Sequence, residues 1–363
     1  MFRIGVIGVG TGEVVGDHSM GYAHAYTYGE DDRCRVVGAA DISRPNLERF
    51  VSVFPVETAC EDYRELLEQA RPDIVSVCTY VGLHPEMVRD SAAAGVKGVW
   101  CEKPFALTLD DARSMVEACE ANGVRLVVNH QRRYLDAFRQ AKEILRSGSV
   151  GRPVMFLAGL PDWDLMEWGT HWLDMFRFFA DDEQVAWVMG QARCTGEKRM
   201  FGHVMEDHSL AYFCFADGTR GLLDGGVDLN GEYSIRLVAT EGMIDLYNDG
   251  SLRVLDGSGW RELRPLSSLH AARPERPPRA EVTPDSAQFL MGEIAPMQGV
   301  LGGLLDWIEG GPEPEVSGRN ALLSTELYLA AYESALRGGR IDLPLAGQAR
   351  FPLDEIAARQ ASA

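Results

Sequence analysis

Residues Ile4 to Gly10 read IGVIGVG, an apolar run that stops in a Gly-x-Gly turn. Glycines at such a turn let backbone N–H groups approach the pyrophosphate of a dinucleotide at the N-terminus of the following helix, where the helix dipole favours negative charge. Gly8 and Gly10 are therefore candidate cofactor contacts. The third glycine of G-x-G-x-x-G would fall on Glu13, so the spacing predicts an enlarged loop and a helix that starts near Met20-Gly21-Tyr22-Ala23-His24. Gly21 is the candidate close-packing glycine and Gly16 the alternative. The next apolar run ends Gly38-Ala39-Ala40-Asp41, and a carboxylate at the tip of a second strand accepts hydrogen bonds from a ribose diol. Its charge would meet a 2'-phosphate, so Asp41 favours NAD. Arg44, three residues on, offsets that charge and leaves NADP open. Asp41 also fits a turn or the N-cap of a helix.

A second cluster is aromatic and acidic. Trp163, Trp168 and Trp172 stand among Asp162, Asp164 and Glu167, and flat apolar faces beside carboxylates suit a sugar ring, whose C–H face stacks while its hydroxyls donate. The competing use of these tryptophans is interdomain core. His130, Arg132 and Arg133 are candidates for the same substrate, since Arg clamps carboxylates, and an interdomain ion pair explains them equally well. His18, His203 and His208 form no metal-ligand spacing, so no metal is expected, and His24 at a helix start is read as packing.

These residues need elements to hold them. Arg3 to Val9, Arg35 to Ala40, Ile74 to Cys78, Val99 to Cys101 and Arg125 to Asn129 read as strands apolar on both faces, separated by helical periodicity such as Asp110 to Ala121; this predicts a doubly wound parallel sheet of Rossmann type over residues 1–128. From 129 to 363 the texture changes. A helix over Leu135 to Arg146 and a turn at Ser147-Gly148 precede strands at Val154 to Ala158, Val185 to Thr195, Ser209 to Phe215, Arg220 to Asp224, Ser234 to Ala239 and Met243 to Tyr247, with a hairpin turn at Ala216-Asp217-Gly218. The expectation is an α/β domain on a large, mostly antiparallel open sheet. Leu269 to Pro284 reads as a surface excursion before helices near Ala295 to Glu309 and Gly318 to Arg337.

With 35 basic and 54 acidic residues the 363-residue chain carries a net charge of -19, which repels nucleic acid and anionic lipid. No apolar run reaches the roughly 18 to 20 residues that span a bilayer, and MFRIGVIGVG lacks the basic and apolar regions of a secretory signal. Seven cysteines without a C-x-x-C pair argue for free thiols in a reducing compartment. A cytoplasmic protein is expected.

The stretch Asp73 to Tyr134 resembles the Gfo/Idh/MocA family of NAD(P)-dependent dehydrogenases. The likeness is carried by C-T-x-x-x-x-H-x-E at Cys78, Thr79, His84 and Glu86, by AGVKGVWCEKP ending at Pro104, and by NHQRRY ending at Tyr134. Glu206-Asp207, Thr240-Glu241-Gly242 and Ala331-Tyr332-Glu333-Ser334 extend it along the chain. The resemblance implies a Rossmann domain followed by a substrate-binding and oligomerising α/β domain, with substrate and nicotinamide meeting between them. It places Thr79, His84, Glu102 and Lys103 among the cofactor contacts and makes Lys103 catalytic, as an ammonium that holds a substrate hydroxyl and stabilises the alkoxide. A second family signature, an Asp four residues before a His at a helix start, falls on Glu167 and His171. On a helix this spacing puts both on one face, where the carboxylate orients an imidazole that takes the alcohol proton. Asp174 matches too, as a catalytic or a structural residue. The implied reaction is oxidation of a secondary alcohol on a sugar, inositol, sugar acid or related polyol. Alternatives are redox-neutral elimination or epimerisation with recycled NAD and a non-catalytic dinucleotide-binding regulator. A homodimer or homotetramer is implied.

Overall fold

Ile4, Val6 and Ile7 of β1 (Phe2–Ile7) keep no more than 2% of their surface exposed, as a strand covered by helices on both faces requires. The computed structural model describes residues 1–10, 20–196, 198–200, 202–227, 234–247, 251–263 and 287–361. After β1 come α1 (Met20–Gly29), β2 (Cys34–Ala40), α2 (Arg44–Val53), β3 (Thr58–Cys60), α3 (Tyr63–Ala70), β4 (Ile74–Val77), α4 (His84–Ala93), β5 (Gly98–Cys101), α5 (Leu109–Ala121) and β6 (Arg125–Val128). Asp62 caps α3 by accepting from Arg64 N, and Pro85 sits in the first turn of α4, where its missing N–H costs nothing. The six strands pair in parallel in the order β3-β2-β1-β4-β5-β6. The order reverses between β1 and β4, the place where an open α/β sheet leaves a crevice beyond its carboxyl ends.

The chain continues through α6 (Asp136–Arg146), β7 (Pro153–Pro161), α7 (Gly169–Phe179), β8 (Val185–Arg193), β9 (Arg199–Met200), β10 (His203–Val204), β11 (His208–Phe215), β12 (Arg220–Gly226), β13 (Ser234–Ala239), β14 (Met243–Tyr247), β15 (Leu252–Asp256) and β16 (Gly259–Leu263). It ends with α8 (Ala287–Ile308), α9 (Gly318–Arg337), β17 (Ile341–Asp342) and α10 (Pro352–Ala361). The large sheet runs β16-β15-β14-β13-β7-β12-β11-β8-β17, and among the described strands only β7 and β12 pair in parallel within it. Its buried face shows the period of two in β11: Ser209, Ala211, Phe213 and Phe215 are buried, while Leu210, Tyr212 and Cys214 are half-buried on the other face. Phe213 packs on Phe176 of α7 at 5.8 Å, and Phe176 on Phe156 of β7 at 6.0 Å.

Contacts divide the chain into two units. The first holds Met1–Ala106, Asp111–Tyr134 and the described part of Ala272–Ala321. The second holds Leu107–Asp110, the described part of Leu135–Ala271, and Leu322–Ala363. Helix α8 therefore belongs to the first unit, which corrects its placement beyond residue 129. It also starts earlier than Ala295. The physical reason is its apolar side: Met297, Val300, Leu301, Leu304 and Leu305 are fully buried in one cluster with Tyr22, Tyr28, Phe50 and Trp100, so the helix covers part of the parallel sheet that α1 alone leaves open. Leu269 to Pro284 lies outside the described residues.

Leu301→Ala is expected to lower the unfolding free energy by roughly 2–5 kcal/mol, measured by urea denaturation. A parent-like midpoint and slope would show that α8 is not part of this core.

Candidate active site

Five of the six strands of the parallel sheet, all but β3, deliver candidate residues at their carboxyl ends. Gly8 and Gly10 follow β1 with φ of 84° and 81°, a region that L side chains avoid. A Cβ on Gly8 would lie 2.7 Å from Thr79 Cγ2, and one on Gly21 would lie 2.6 Å from Gly8 O. Gly21 is thus the residue that lets α1 begin against the β1 turn, as its spacing suggested. Glu13, Gly16 and His18 lie outside the described residues. Asp41 follows β2. Its Oδ2 accepts from Val9 N at 3.0 Å and Gly10 N at 3.1 Å, and its Oδ1 accepts from Ser43 N at 2.8 Å. The carboxylate therefore faces the glycine turn, and the cap position of α2 is Ser43. Arg44 is turned to Glu48, with Nε donating at 3.0 Å, and lies 3.7 Å from Glu61. Glycines that admit backbone approach, with an acidic tip on the second strand, fit a dinucleotide.

Thr79 follows β4 and donates to Met87 Sδ at 3.3 Å. His84 is fully buried, with Nε2 3.0 Å from Thr79 O and Nδ1 3.2 Å from Phe105 O. Burial lowers its pKa, against the pull of those carbonyls. The ring ties the segment after β4 to the segment after β5. Glu102 and Lys103 follow β5, with Lys103 partly buried. Glu102 is 4% exposed; its Oε1 accepts from Asn129 Nδ2 at 2.7 Å and lies 2.8 Å from His24 Nε2, and its Oε2 accepts from Lys103 N at 3.2 Å. His24 therefore does more than pack. Beyond β6, His130 is 2% exposed, Arg132 is partly buried, and the buried Arg133 reaches Asn320 Oδ1 at 3.4 Å.

In the second unit α7 begins at Gly169, with Trp168 at its N-cap position. Glu167 lies in the turn before the helix, so the shared helical face read for Glu167 and His171 does not exist. The cause is Asp164: its Oδ1 accepts from Glu167 N at 2.6 Å and its carbonyl from Gly169 N at 2.9 Å, closing a turn that delays the helix. His171 is 4% exposed, with its ring 5.8 Å from that of Trp168, which lies 5.0 Å from that of Trp163. Trp163 and Trp168 are half-buried. Trp172 is core, 1% exposed and stacked on Phe138. Asp174 accepts from Ser324 Oγ at 2.8 Å, and Arg177 Nη1 donates to the same hydroxyl at 2.8 Å, an arrangement that fits its structural reading.

Sequence reasoning passed over the group beneath the tryptophan turn. Glu206 is buried and its Oε1 accepts from Leu165 N and from Tyr332 Oη, both at 2.8 Å. Asp164, also buried, pairs with Lys198 Nζ at 3.3 Å. Burial, then the like charge of Asp164, pushes Glu206 up to about 7. A Glu-Asp pair before a strand was visible as family likeness, but the turn it supports lies 41 residues away. Among the described residues no three His, Cys, Asp or Glu side chains gather as a metal site; His203 instead lies 3.1 Å from Asp354.

This architecture is that of an oxidoreductase on a dinucleotide-binding sheet. The family described as "Oxidoreductase family, NAD-binding Rossmann fold" matches residues 2–130. An inositol 2-dehydrogenase of Pseudomonas savastanoi pv. phaseolicola is 30% identical over 246 residues, 64% of this chain and 68% of the relative. A D-apiose dehydrogenase of Paraburkholderia graminis is 25% identical over 356 residues, 92% of this chain and 89% of the relative. Among solved structures, an oxidoreductase from Agrobacterium radiobacter in complex with NAD+, L-tartaric acid and magnesium superposes with a TM-score of 0.75 at 23% identity, covering 94% of this chain and 98% of that one. The chain belongs to the Gfo/Idh/MocA family, whose fold is described as NAD-binding.

Glu206 holds a proton more readily in the folded chain than at the ordinary glutamate value of 4.5. Its contribution to stability is therefore full below about 4.5 and is lost as pH rises through about 7. Glu206→Gln is expected to lose less melting temperature than the parent between pH 5.5 and 8, read by thermal unfolding. Parallel curves would contradict the assignment.

Proposed function

We propose that this protein oxidises a secondary alcohol of a sugar, inositol, sugar acid or related polyol, with Lys103 as the group that holds the reacting hydroxyl. The observation that carries the reading is the place of Glu102-Lys103-Pro104 at the carboxyl end of β5, on the same sheet edge as the glycine turn and Asp41. The inositol and apiose dehydrogenases among the relatives supply the substrate class. NAD, when bound, accepts the hydride. The Lys103 ammonium stabilises the alkoxide as the C–H bond breaks. His171 is proposed as acid/base partner that takes the proton, with Glu167 orienting it from the turn before α7. Trp163 and Trp168 are proposed to stack on the C–H face of the ring, and His130 and Arg132 to contact its polar substituents. Gly8, Gly10, Gly21, Asp41, Thr79, His84 and Glu102 are the proposed cofactor set, with Asp41 at the ribose; Arg44, held by Glu48, is a weaker member.

No helix among the described residues is long and apolar enough to cross a membrane. All seven cysteines are free thiols, which supports a reducing, cytoplasmic location. We also propose a homodimer or homotetramer assembled through the open face of the large sheet. There Tyr212 and Trp187 meet at 5.5 Å and Met189 is 45% exposed, an apolar surface of the kind that association covers.

The deciding assay follows NADH at 340 nm over a panel of inositols, aldoses, sugar acids and glycosides. Lys103→Ala is expected to lower kcat by at least about 100-fold. Turnover of substrate without accumulating NADH would replace net oxidation with redox-neutral chemistry, and full activity in the variant would remove Lys103 from the mechanism. Light scattering is expected to give a mass of two or four times 40.0 kDa, with Tyr212→Glu shifting it toward the monomer; a monomeric parent would sink the assembly.

A further inference from the structure

Around Glu102 the first unit buries a continuous chain of polar side chains. Tyr28 Oη lies 2.9 Å from Ser76 Oγ, Ser76 Oγ 2.8 Å from His24 Nδ1, and His24 Nε2 2.8 Å from Glu102 Oε1. Tyr28, Ser76 and His24 have no exposed surface, and the His24 ring lies over Trp100 with centroids 3.9 Å apart. On the other side Asn129 donates from Nδ2 to Glu102 Oε1, while its Oδ1 accepts from Trp100 Nε1 at 3.3 Å, which fixes the amide orientation.

Every link of the chain can be made with a donor facing an acceptor. Burial pushes the Tyr28 pKa far up, so the phenol keeps its proton and donates to Ser76. His24 Nδ1 pairs with the serine hydroxyl, and Nε2–H donates to the Glu102 carboxylate. A buried carboxylate needs such donors, because without them its charge has lost its water and gained nothing. With Oε1 held by His24 and Asn129, Oε2 is aimed at the backbone N–H of Lys103.

We propose that His24 is a positioning residue for Lys103: it fixes the Glu102 carboxylate, which in turn holds the Lys103 backbone and sets the direction of the lysine side chain from the end of β5. The same residue links the helix that begins at the glycine turn to the lysine. The inference rests on the reading of Lys103 as the group that holds the alcohol. It gives the polar residues inside the apolar strand runs, Ser76 and Asn129, a shared purpose.

The full chain contains four lysines, Lys97, Lys103, Lys142 and Lys198, so acylation by an acetyl N-hydroxysuccinimide ester can be followed at each by peptide mass spectrometry, with three internal references. His24→Leu keeps bulk and removes both polar atoms; His24→Gln keeps a donor toward Glu102 and an acceptor toward Ser76. The expected result in His24→Leu is a change of at least about threefold in the acylation rate of Lys103 alone. With any alcohol that yields NADH, kcat should fall about tenfold while substrate KM moves less than about threefold. His24→Gln should restore both readouts. Parent-like acylation and kcat in His24→Leu would overturn the proposal, as would equal changes at all four lysines, which mark general loosening. If Lys103→Ala keeps its turnover, the reading of Lys103 falls, while the acylation rates still decide the positioning.

Discussion

The candidate cofactor edge depends on how closely three backbones approach: the turn after β1, the start of α1 and the end of β4. Any side chain at Gly8 would strike Thr79 and the Cys78 carbonyl, and any at Gly21 would strike the Gly8 carbonyl. That closeness brings Asp41, from the neighbouring strand, onto the amides of Val9 and Gly10. It also brings His24, one turn into α1, within reach of Ser76 and Glu102. The positive φ at Gly8 and Gly10 serves the same end, since it turns the chain without placing a Cβ in the gap.

Two buried glutamates show how environment sets the use of a carboxylate. Glu102 meets donors on both oxygens, from Asn129, from Lys103 N and from the His24 ring, and stands where a cation is to be directed. Glu206 meets Leu165 N and Tyr332, but it also has Asp164 for a neighbour, and burial with like charge drives it toward the neutral form near pH 7. In the first case the carboxylate organises the segment bearing Lys103. In the second it organises, with Asp164, the turn bearing Trp163, Glu167 and Trp168. Both are instances of a buried polar group acting through the backbone it holds.

Much of this was legible in the sequence where a local rule applied. Strand runs apolar on both faces, the Gly-x-Gly turn, the late start of α1 at Met20 and the hairpin at Ala216-Asp217-Gly218 follow from periodicity and turn chemistry. Strands β13 and β14 and helix α9 were read to the residue. What the sequence hid is nonlocal. Helix α8 carries no mark saying that its leucines cover the parallel sheet, because an apolar face does not name its partner. Glu167 looked helical from its spacing to His171, and the Asp164 side chain that closes the turn before Gly169 overrides that spacing. His24, Ser76 and Asn129 lie far apart in sequence, each a single polar residue in an apolar context, and the strand order β1-β4-β5-β6 joins them in one hydrogen-bonded chain that ends on the Glu102 carboxylate.

Calorimetric titration of the full chain with NAD+ and NADP+ tests the proposed placement of NAD at the carboxyl edge of the parallel sheet, with Asp41 at the ribose. NAD+ is expected to bind at least about tenfold more tightly, a difference of about 1.4 kcal/mol, and Asp41→Ala to narrow the gap by weakening NAD+ and admitting the 2'-phosphate. Equal or tighter binding of NADP+ by the parent, or an unchanged preference in Asp41→Ala, would contradict it.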